Sequence, residues 1–179
     1  MKLYLTRHGE TDWNRENRVL GRTDIPLNQT GLQQAETAAR YLADRPVSLI
    51  YTSPLSRAVM TGKIIAARQD TKCVCEVRGC LIEQDFGIFE GVDRGNVDYQ
   101  REKRLFFKKY ENGESYLDVA ARVYPFLDYL AAECQNRGDV LIVTHGGICR
   151  IITNYFKGMD NEEFATFSMK NCEVREFEL

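Results

Sequence analysis

The sequence has no apolar run of the roughly 20 residues that a membrane-spanning helix needs. It also has no excess of one charge, because 24 Lys and Arg residues accompany 26 Asp and Glu residues, for a formal net charge of −2. A strong field of one sign is what recruits nucleic acid or an acidic lipid surface. These absences exclude a membrane span and predict that neither a membrane nor nucleic acid is a partner.

Internal repeats, low-complexity tracts and domain linkers are absent as well. A chain of 179 residues with 44% hydrophobic and 28% charged residues is typical of a globular protein with a substantial core. We therefore expect a single domain over residues 1–179. The first strand follows Met1 and Lys2 directly, which leaves no room for a signal peptide and predicts a cytoplasmic location. No pattern indicates an oligomeric state.

Metal-binding motifs such as H-E-x-x-H or paired C-x-x-C are missing, so we expect no metal and no cofactor. The six cysteines could instead form disulfides or a zinc site, but a core of this size needs neither. Without an export signal, reduced and mostly buried thiols are predicted. The cysteines are Cys73, Cys75, Cys80, Cys134, Cys149 and Cys172.

Histidine is scarce, and both histidines have the same setting. His8 follows the apolar run Leu3–Leu5, and His145 follows Val140–Val143; each directly precedes a glycine. Such runs indicate buried strands, and ligands bind at the carboxyl ends of strands in an open parallel sheet. Two histidines at two strand ends are hard to explain by core packing alone.

Strands alternate with helices along the chain, which predicts an α/β fold with three layers, α/β/α, and a mostly parallel central sheet. A long ordered loop is expected over 15–28. The sequence around 169–172 indicates a turn between two closing edge strands. The predicted strands cover residues 3–5, 49–51, 72–77 and 140–143.

Several helix starts can be read from capping residues. Thr30 and Gln33 have the form of a capping box. Ser53 is predicted as an N-cap with Pro54 at the first helical position, which places Arg57 in the first helical turn. Ser115 is predicted to cap a long helix that contains Pro125, and a short helix is expected over 160–164.

If Arg7, His8, Arg57 and His145 meet at neighbouring strand ends, they form a phosphate pocket, since arginines and helix N-termini bind phosphate oxygens. One neutral imidazole could attack phosphorus, and a second, protonated imidazole could stabilise the developing charge. Spacing does not decide which histidine does which. A carboxylic acid would protonate the leaving alcohol, with Glu83, Asp85 and Glu90 as candidates.

The segment Leu5–Thr11, which contains Arg7, His8 and Gly9, resembles the signature of the histidine phosphatase superfamily, which has the phosphoglycerate mutase-like fold. The resemblance covers nearly the whole chain. Its other motifs follow in the family's order: Asn14, Arg18, 21–27 with Gly21, Gly31, 53–58 with Arg57, 83–91 with Glu83, 113–115, and 145–147 with His145 and Gly146.

The resemblance implies a metal-independent phosphatase of small phosphorylated metabolites. His8 would accept the phosphoryl group as a phosphohistidine, and Glu83 would donate a proton to the leaving group. Residues implied in binding the phosphate or the substrate are Arg7, Asn14, Gly21, Arg57, His145 and Gly146.

Two other functions stay open. A cofactor-dependent phosphoglycerate mutase resembles this chain but is usually longer, and the short stretch between Gly91 and Gly113 favours a phosphatase. A non-catalytic phosphate-binding protein of the same fold would have no use for a proton donor. Leu20 and Phe89 replace the family's usual glutamine and tryptophan; both are expected near the pocket mouth, where they would affect the choice of substrate.

The basic segment from Arg101 to Lys109 is predicted to be a solvated helix face. A position over the active site and a role in nucleic-acid binding are the alternatives.

Overall fold

The computed structural model describes residues 1–69, 73–133 and 138–179. Its sheet has five strands in the spatial order β3-β2-β4-β1-β5. Strands β1 to β4 pair in parallel, and β5 runs antiparallel to β1. The predicted α/β fold with a mostly parallel sheet is confirmed. The strands are Lys2–Arg7 (β1), Val47–Thr52 (β2), Val74–Val77 (β3), Asp139–Thr144 (β4) and Val174–Glu178 (β5).

Helices cover both faces of the sheet, because successive strand residues point to opposite sides. Leu3 and Leu5 of β1 pack in one cluster with α5 and α6, whereas Tyr4 packs in another with α2 and α3. One cluster lies between the sheet and the helices on each of its faces, which gives the predicted three layers, α/β/α. The helices are Asp12–Arg15 (α1), Gln29–Leu42 (α2), Ser56–Ala66 (α3), Val97–Glu102 (α4), Tyr116–Glu133 (α5), Gly146–Lys157 (α6) and Asn161–Thr166 (α7).

A third apolar cluster lies outside these layers. Phe86, Phe89, Tyr99 and Tyr110 pack against one another with ring centroids 5.5 to 6.3 Å apart, and Val19 joins them. This cluster holds together the long connection between β3 and α5, which has little regular structure of its own.

Two predicted helix starts are wrong. The N-cap of α2 is Asn28, whose side chain accepts a hydrogen bond from the Gly31 amide at 2.8 Å, so Thr30 already lies inside the helix. The N-cap of α3 is Leu55 rather than Ser53. Asp24 of the preceding loop accepts the hydrogen bond from the Ser56 amide at 2.9 Å, so a residue distant in sequence performs the capping. Ser115 does cap α5, at 3.1 Å from the Asp118 amide.

The end of the chain also differs from the prediction. A single edge strand, β5, closes the described part of the sheet, and residues 167–173 form no second one. The third strand begins at Val74; Lys72, where we predicted its start, lies outside the described residues.

The cysteines that the structure describes are free thiols, but most are not buried. Cys149 is buried, Cys75 is exposed, and Cys73, Cys80 and Cys172 are intermediate. Cys134 lies outside the described residues. In the described ranges, no helix combines the length and the apolar character needed to cross a membrane.

Candidate active site

The sheet order brings the two histidines together. β1 and β4 are neighbours, and β2 lies on the other side of β4, so the carboxyl ends of these three strands are adjacent. His8 follows β1, His145 follows β4, and Arg57 follows β2 on the first turn of α3. The two imidazole rings lie 5.1 Å apart between centroids. We call Arg7, His8, Arg57 and His145 the strand-end cluster.

His8 is buried and oriented by its own backbone neighbour. Its Nδ1 lies 2.7 Å from the Gly9 carbonyl oxygen. A carbonyl can only accept, so Nδ1 carries the proton and Nε2 keeps a lone pair. Burial, followed by the charges of Arg57 and Arg7, holds the pKa of His8 well below its usual range. His8 is therefore neutral at physiological pH, as a nucleophile at phosphorus must be.

Gly9 is required by close packing. A Cβ at Gly9 would collide with the Gly31 carbonyl oxygen at the start of α2. The Gly9 amide donates to the Thr61 hydroxyl at 3.1 Å, and that hydroxyl donates to the Arg57 carbonyl at 2.8 Å. The turn after β1 is thus fixed to both α2 and α3.

Arg57 is fully buried, and its N–H groups are directed at protein acceptors. It donates to the carbonyls of Gly21 at 2.6 Å and Thr23 at 2.9 Å, and to His145 Nδ1 at 3.3 Å. Burial lowers its pKa to about 10, so it stays cationic. Arg57 therefore holds the long loop after β1 against the histidines.

His145 is neutral as well, which differs from the expectation of a protonated second imidazole. Because arginine only donates, Nδ1 of His145 must be unprotonated, and Nε2 donates to the Ser53 hydroxyl at 2.7 Å. Burial and then the charge of Arg57 hold its pKa well below its usual range. A cation so close to two arginines is unfavourable until an anion arrives.

The open part of the site is a cavity of about 640 Å³. Arg7, His8, Asn14, Glu83 and Gly146 line it, so the structure brings these five predicted site residues to one wall. Arg57, His145 and Gly21 lie behind that wall instead. Gly21 is buried; its amide donates to Glu90, and its carbonyl accepts from Arg57.

Two donors at this wall have no partner among the described residues. They are Arg7 Nε and Asn14 Nδ2, both inaccessible to solvent. Gly146 begins α6, and a Cβ built on it would lie 3.9 Å from Arg7 Nε. A helix N-terminus beside unpaired, buried N–H groups is an anion-binding arrangement.

Of the three candidate acids, the structure brings only Glu83 to the cavity. Glu83 is 4% exposed; its carboxylate accepts hydrogen bonds from the Gln84 amide at 2.9 Å and the Gly147 amide at 3.1 Å. A Cβ on Gly147 would lie 2.6 Å from that carboxylate, so any larger residue there would displace the Glu83 side chain. Asp85 accepts from the Gly87 amide, and Glu90 binds the loop at Gly21.

Another part of the cavity lining, which we call the loop wall, was largely missed by sequence reasoning. Lys103 lines the cavity, so part of the basic segment 101–109 lies over the site rather than forming only a solvated face. Leu20 lines the cavity as expected. Phe89 does not; it packs in the aromatic cluster, so its expected place at the mouth is wrong. The loop wall consists of Phe86, Arg94, Tyr99, Gln100, Lys103 and residues 167–171.

Arg150 is a further cavity residue that the sequence could have indicated. It follows Gly146 and Gly147 by one helical turn, and residues three or four apart share a helix face. Arg94 and Lys103 gave no such signal, because no periodic element relates them to the strand ends.

Known proteins resemble this chain in both sequence and fold. A phosphatase of Bacillus subtilis, PhoE, described as uncharacterized, is 34% identical over 94% of this chain and 83% of its own length. Phosphoserine phosphatase 1 of Hydrogenobacter thermophilus is 30% identical, over 96% and 83%. A mycobacterial glucosyl-3-phosphoglycerate phosphatase, solved with VO3, superposes with a TM-score of 0.87 at 28% identity, over 98% of this chain and 91% of the other.

Phosphoglycerate mutases are also among the relatives. One from Staphylococcus epidermidis is 25% identical over 99% of this chain and 94% of its own, in an alignment of 214 positions. The family model described as histidine phosphatase superfamily, branch 1, matches residues 3–179. With its motifs in order and both histidines at adjacent strand ends, this chain belongs to the histidine phosphatase superfamily.

Proposed function

We propose that the protein hydrolyses phosphomonoesters of small metabolites without a metal ion, through a phosphohistidine on His8. The observation that carries this proposal is the tautomer of His8. Its Nδ1 proton is held by the Gly9 carbonyl, which leaves the Nε2 lone pair available in a cavity lined by unpaired donors.

In the first step, the Nε2 lone pair of His8 forms a bond to phosphorus while the bond from phosphorus to the ester oxygen breaks. The departing oxygen takes a proton from the carboxylic acid of Glu83. Arg7 Nε, Asn14 Nδ2 and the N-terminus of α6 bind the phosphoryl oxygens. The Gly9 carbonyl stabilises the Nδ1 proton as the imidazole gains positive charge.

In the second step, water attacks phosphorus and the bond between nitrogen and phosphorus breaks. Glu83, now a carboxylate, accepts a proton from that water, which returns the acid to its starting form. The phosphate leaves and His8 recovers its lone pair. Arg57 and His145 support the oxygens from behind, and the incoming anion favours protonation of His145 by compensating the nearby positive charges.

A phosphatase is favoured over a mutase by segments that a mutase relative carries and this chain lacks. The alignment with the S. epidermidis mutase spans 214 positions, against 179 residues here, so the mutase carries insertions that this protein lacks. A mutase must keep its phosphohistidine until a second substrate position accepts the phosphoryl group. The inserted segments would give the mutase more structure to exclude water during that interval.

The test is phosphate release from p-nitrophenyl phosphate and from alkyl phosphates in EDTA, with acid-quenched samples examined for acid-labile phosphate on histidine. Wild-type protein should release phosphate without 2,3-bisphosphoglycerate and should be inhibited by vanadate. His8→Ala should remain folded and lose turnover by about 10⁴-fold or more. Turnover that requires 2,3-bisphosphoglycerate would indicate the mutase, and normal turnover of His8→Ala would refute the mechanism.

A further inference from the structure

The charge of the cavity is opposite to that of the chain. Five cationic side chains line the cavity and only one carboxylate, Glu83, whereas the whole protein has a net charge of −2. A phosphomonoester dianion bound at Arg7 would compensate only part of this positive charge. Four cations other than Arg7 are left: Lys170, which is exposed, and Arg94, Lys103 and Arg150, which are at least partly buried.

Arg150 is a buried cation without an acidic partner among the described residues. It is 6% exposed, and its Nε has no hydrogen-bond partner there. Its other nitrogens donate to neutral acceptors, the Tyr116 hydroxyl and the Phe167 carbonyl, the latter at 3.1 Å. Burying a guanidinium against neutral groups is unfavourable unless an anion compensates its charge.

The other two cations differ from their sequence neighbours. Arg101 pairs with Asp98 at 3.1 Å and Lys108 pairs with Glu102 at 2.7 Å, both facing solvent. No ion pair joins Arg94 or Lys103 to a carboxylate of the described residues. Within this segment, the cations that face solvent have acidic partners and those that face the cavity lack them.

Lys103 lies close to the other two cations. Its pKa is lowered, first by burial and then by the charges of Arg150 and Arg94. Arg94 donates through Nε to the Arg18 carbonyl at 3.0 Å, which fixes its side chain to the loop after β1. The three cations therefore repel one another around a common space. The groups that contact the Arg150 guanidinium, including the rings of Tyr116 and Phe164 at 5.1 and 5.4 Å, carry no negative charge.

We propose that Arg94, Lys103 and Arg150 form a second anion subsite, which binds a carboxylate or phosphate at the far end of the substrate. The preferred substrates are then phosphomonoesters with a second anionic group. This inference rests on the proposed phosphatase function. A cavity of about 640 Å³ leaves space for a carbon chain between the two anions.

Matched substrates test the subsite. Sorbitol 6-phosphate and 6-phosphogluconate differ only in a terminal hydroxymethyl or carboxylate group, as glycerol 3-phosphate and 3-phosphoglycerate do at a shorter length. Sorbitol 1,6-bisphosphate carries phosphate at the far end. Wild-type kcat/KM should be about tenfold or more higher for an anionic end than for its neutral counterpart. Whichever of 6-phosphogluconate and sorbitol 1,6-bisphosphate has the higher kcat/KM shows whether the subsite prefers a carboxylate or a phosphate.

Lys103→Gln and Arg94→Gln should each reduce that preference by about tenfold while changing p-nitrophenyl phosphate and sorbitol 6-phosphate turnover by less than about threefold. Arg101→Gln removes the same charge from the same segment outside the cavity and should change none of these values. Equal kcat/KM for neutral and anionic ends at both lengths would overturn the proposal. So would a variant that slows all substrates equally.

Binding to His8→Ala separates this inference from the proposed function. Calorimetric Kd values for the same substrate pairs measure the subsite without any chemistry. If hydrolysis fails but the tenfold preference for an anionic end persists in Kd, the subsite stands and the phosphatase assignment fails. If p-nitrophenyl phosphate is hydrolysed and the preference is missing from both kcat/KM and Kd, the subsite fails alone.

Discussion

The strand-end cluster, which reaches the cavity through Arg7 and His8, and the loop wall border the same cavity but are built differently. In the cluster, strand ends and glycine turns hold buried side chains. Hydrogen bonds to the ring nitrogens of His8 and His145 define the tautomer of each imidazole. On the loop wall, irregular segments held by an aromatic cluster carry cations without acidic partners in the described chain. From this difference we expect chemistry to depend on the first region and the choice of substrate on the second.

After His8→Ala, the largest effect is expected for Glu83→Gln, which keeps the shape of the side chain but removes its ionisable proton. Single-turnover phosphoryl transfer from sorbitol 6-phosphate should slow by about 10²- to 10⁴-fold, because an alkoxide needs protonation to leave. Transfer from p-nitrophenyl phosphate should slow by less than about tenfold, since p-nitrophenolate leaves without it. Asp85→Asn is the matched control; equal slowing of both substrates by Glu83→Gln would remove the acid role.

Arg57→Lys comes next. Lysine keeps the charge but cannot reach Gly21, Thr23 and His145 together as the guanidinium does. We expect kcat and kcat/KM for p-nitrophenyl phosphate to fall together by about 10²-fold, with a lower Tm. Arg68→Lys makes the same change at an exposed arginine just after α3, and it should leave the kinetic constants and the Tm unchanged. A loss confined to KM would mean that Arg57 acts only in substrate docking.

Stability should depend on pH through the two buried histidines. Their pKa values are depressed in the folded protein, so below about pH 6.5 the unfolded chain binds more protons than the folded one. The contribution is fully present above that pH and decreases by up to about 1.4 kcal/mol per histidine for each pH unit below it. Urea unfolding between pH 7.5 and 5 measures this slope.

His145→Gln is the control for the pH effect. It should lower stability at neutral pH yet give a shallower slope in acid, because one of the two titrating groups is gone. An unchanged slope would assign the acid sensitivity to carboxylates instead.

A smaller effect is expected for Ser53→Ala. Ser53 accepts the Nε2 proton of His145 at 2.7 Å and so selects its tautomer. Without this acceptor the imidazole can turn, and kcat should fall by about three- to tenfold with a shifted acid limb in the pH profile. Ser53→Thr keeps the hydroxyl and should restore both. A loss of stability with an unchanged pH profile would mean that Ser53 matters only through its contact with the Leu55 amide.

The smallest effect should come from Tyr110→Phe in the aromatic cluster. The Tyr110 hydroxyl is buried without a hydrogen-bond partner among the described residues. Removing it should leave the free energy of unfolding unchanged or raise it by up to about 1 kcal/mol, with turnover unaffected. Urea denaturation and p-nitrophenyl phosphate kinetics measure both. A marked loss of stability would show that the hydroxyl is satisfied in solution.

The predictions from sequence were accurate where a local pattern carries the information. The apolar runs ending in His8 and His145 indicated two buried strands, and the alternation of elements indicated the parallel sheet. They were less accurate where a distant residue decides the local structure. Ser53 has the form of an N-cap, but Asp24 caps α3 and Ser53 binds His145 instead.

The sequence by itself determined the positions of His8 and His145 at strand ends, because in each case an apolar strand, a histidine and a glycine follow one another along the chain. Only the tertiary structure decided that Arg57 supports the site from behind, and that Glu83 rather than Asp85 or Glu90 reaches the cavity. The same holds for Arg94 and Lys103, which lack acidic partners in the described chain. Charge compensation depends on distances between segments far apart in sequence, and no local pattern encodes those distances.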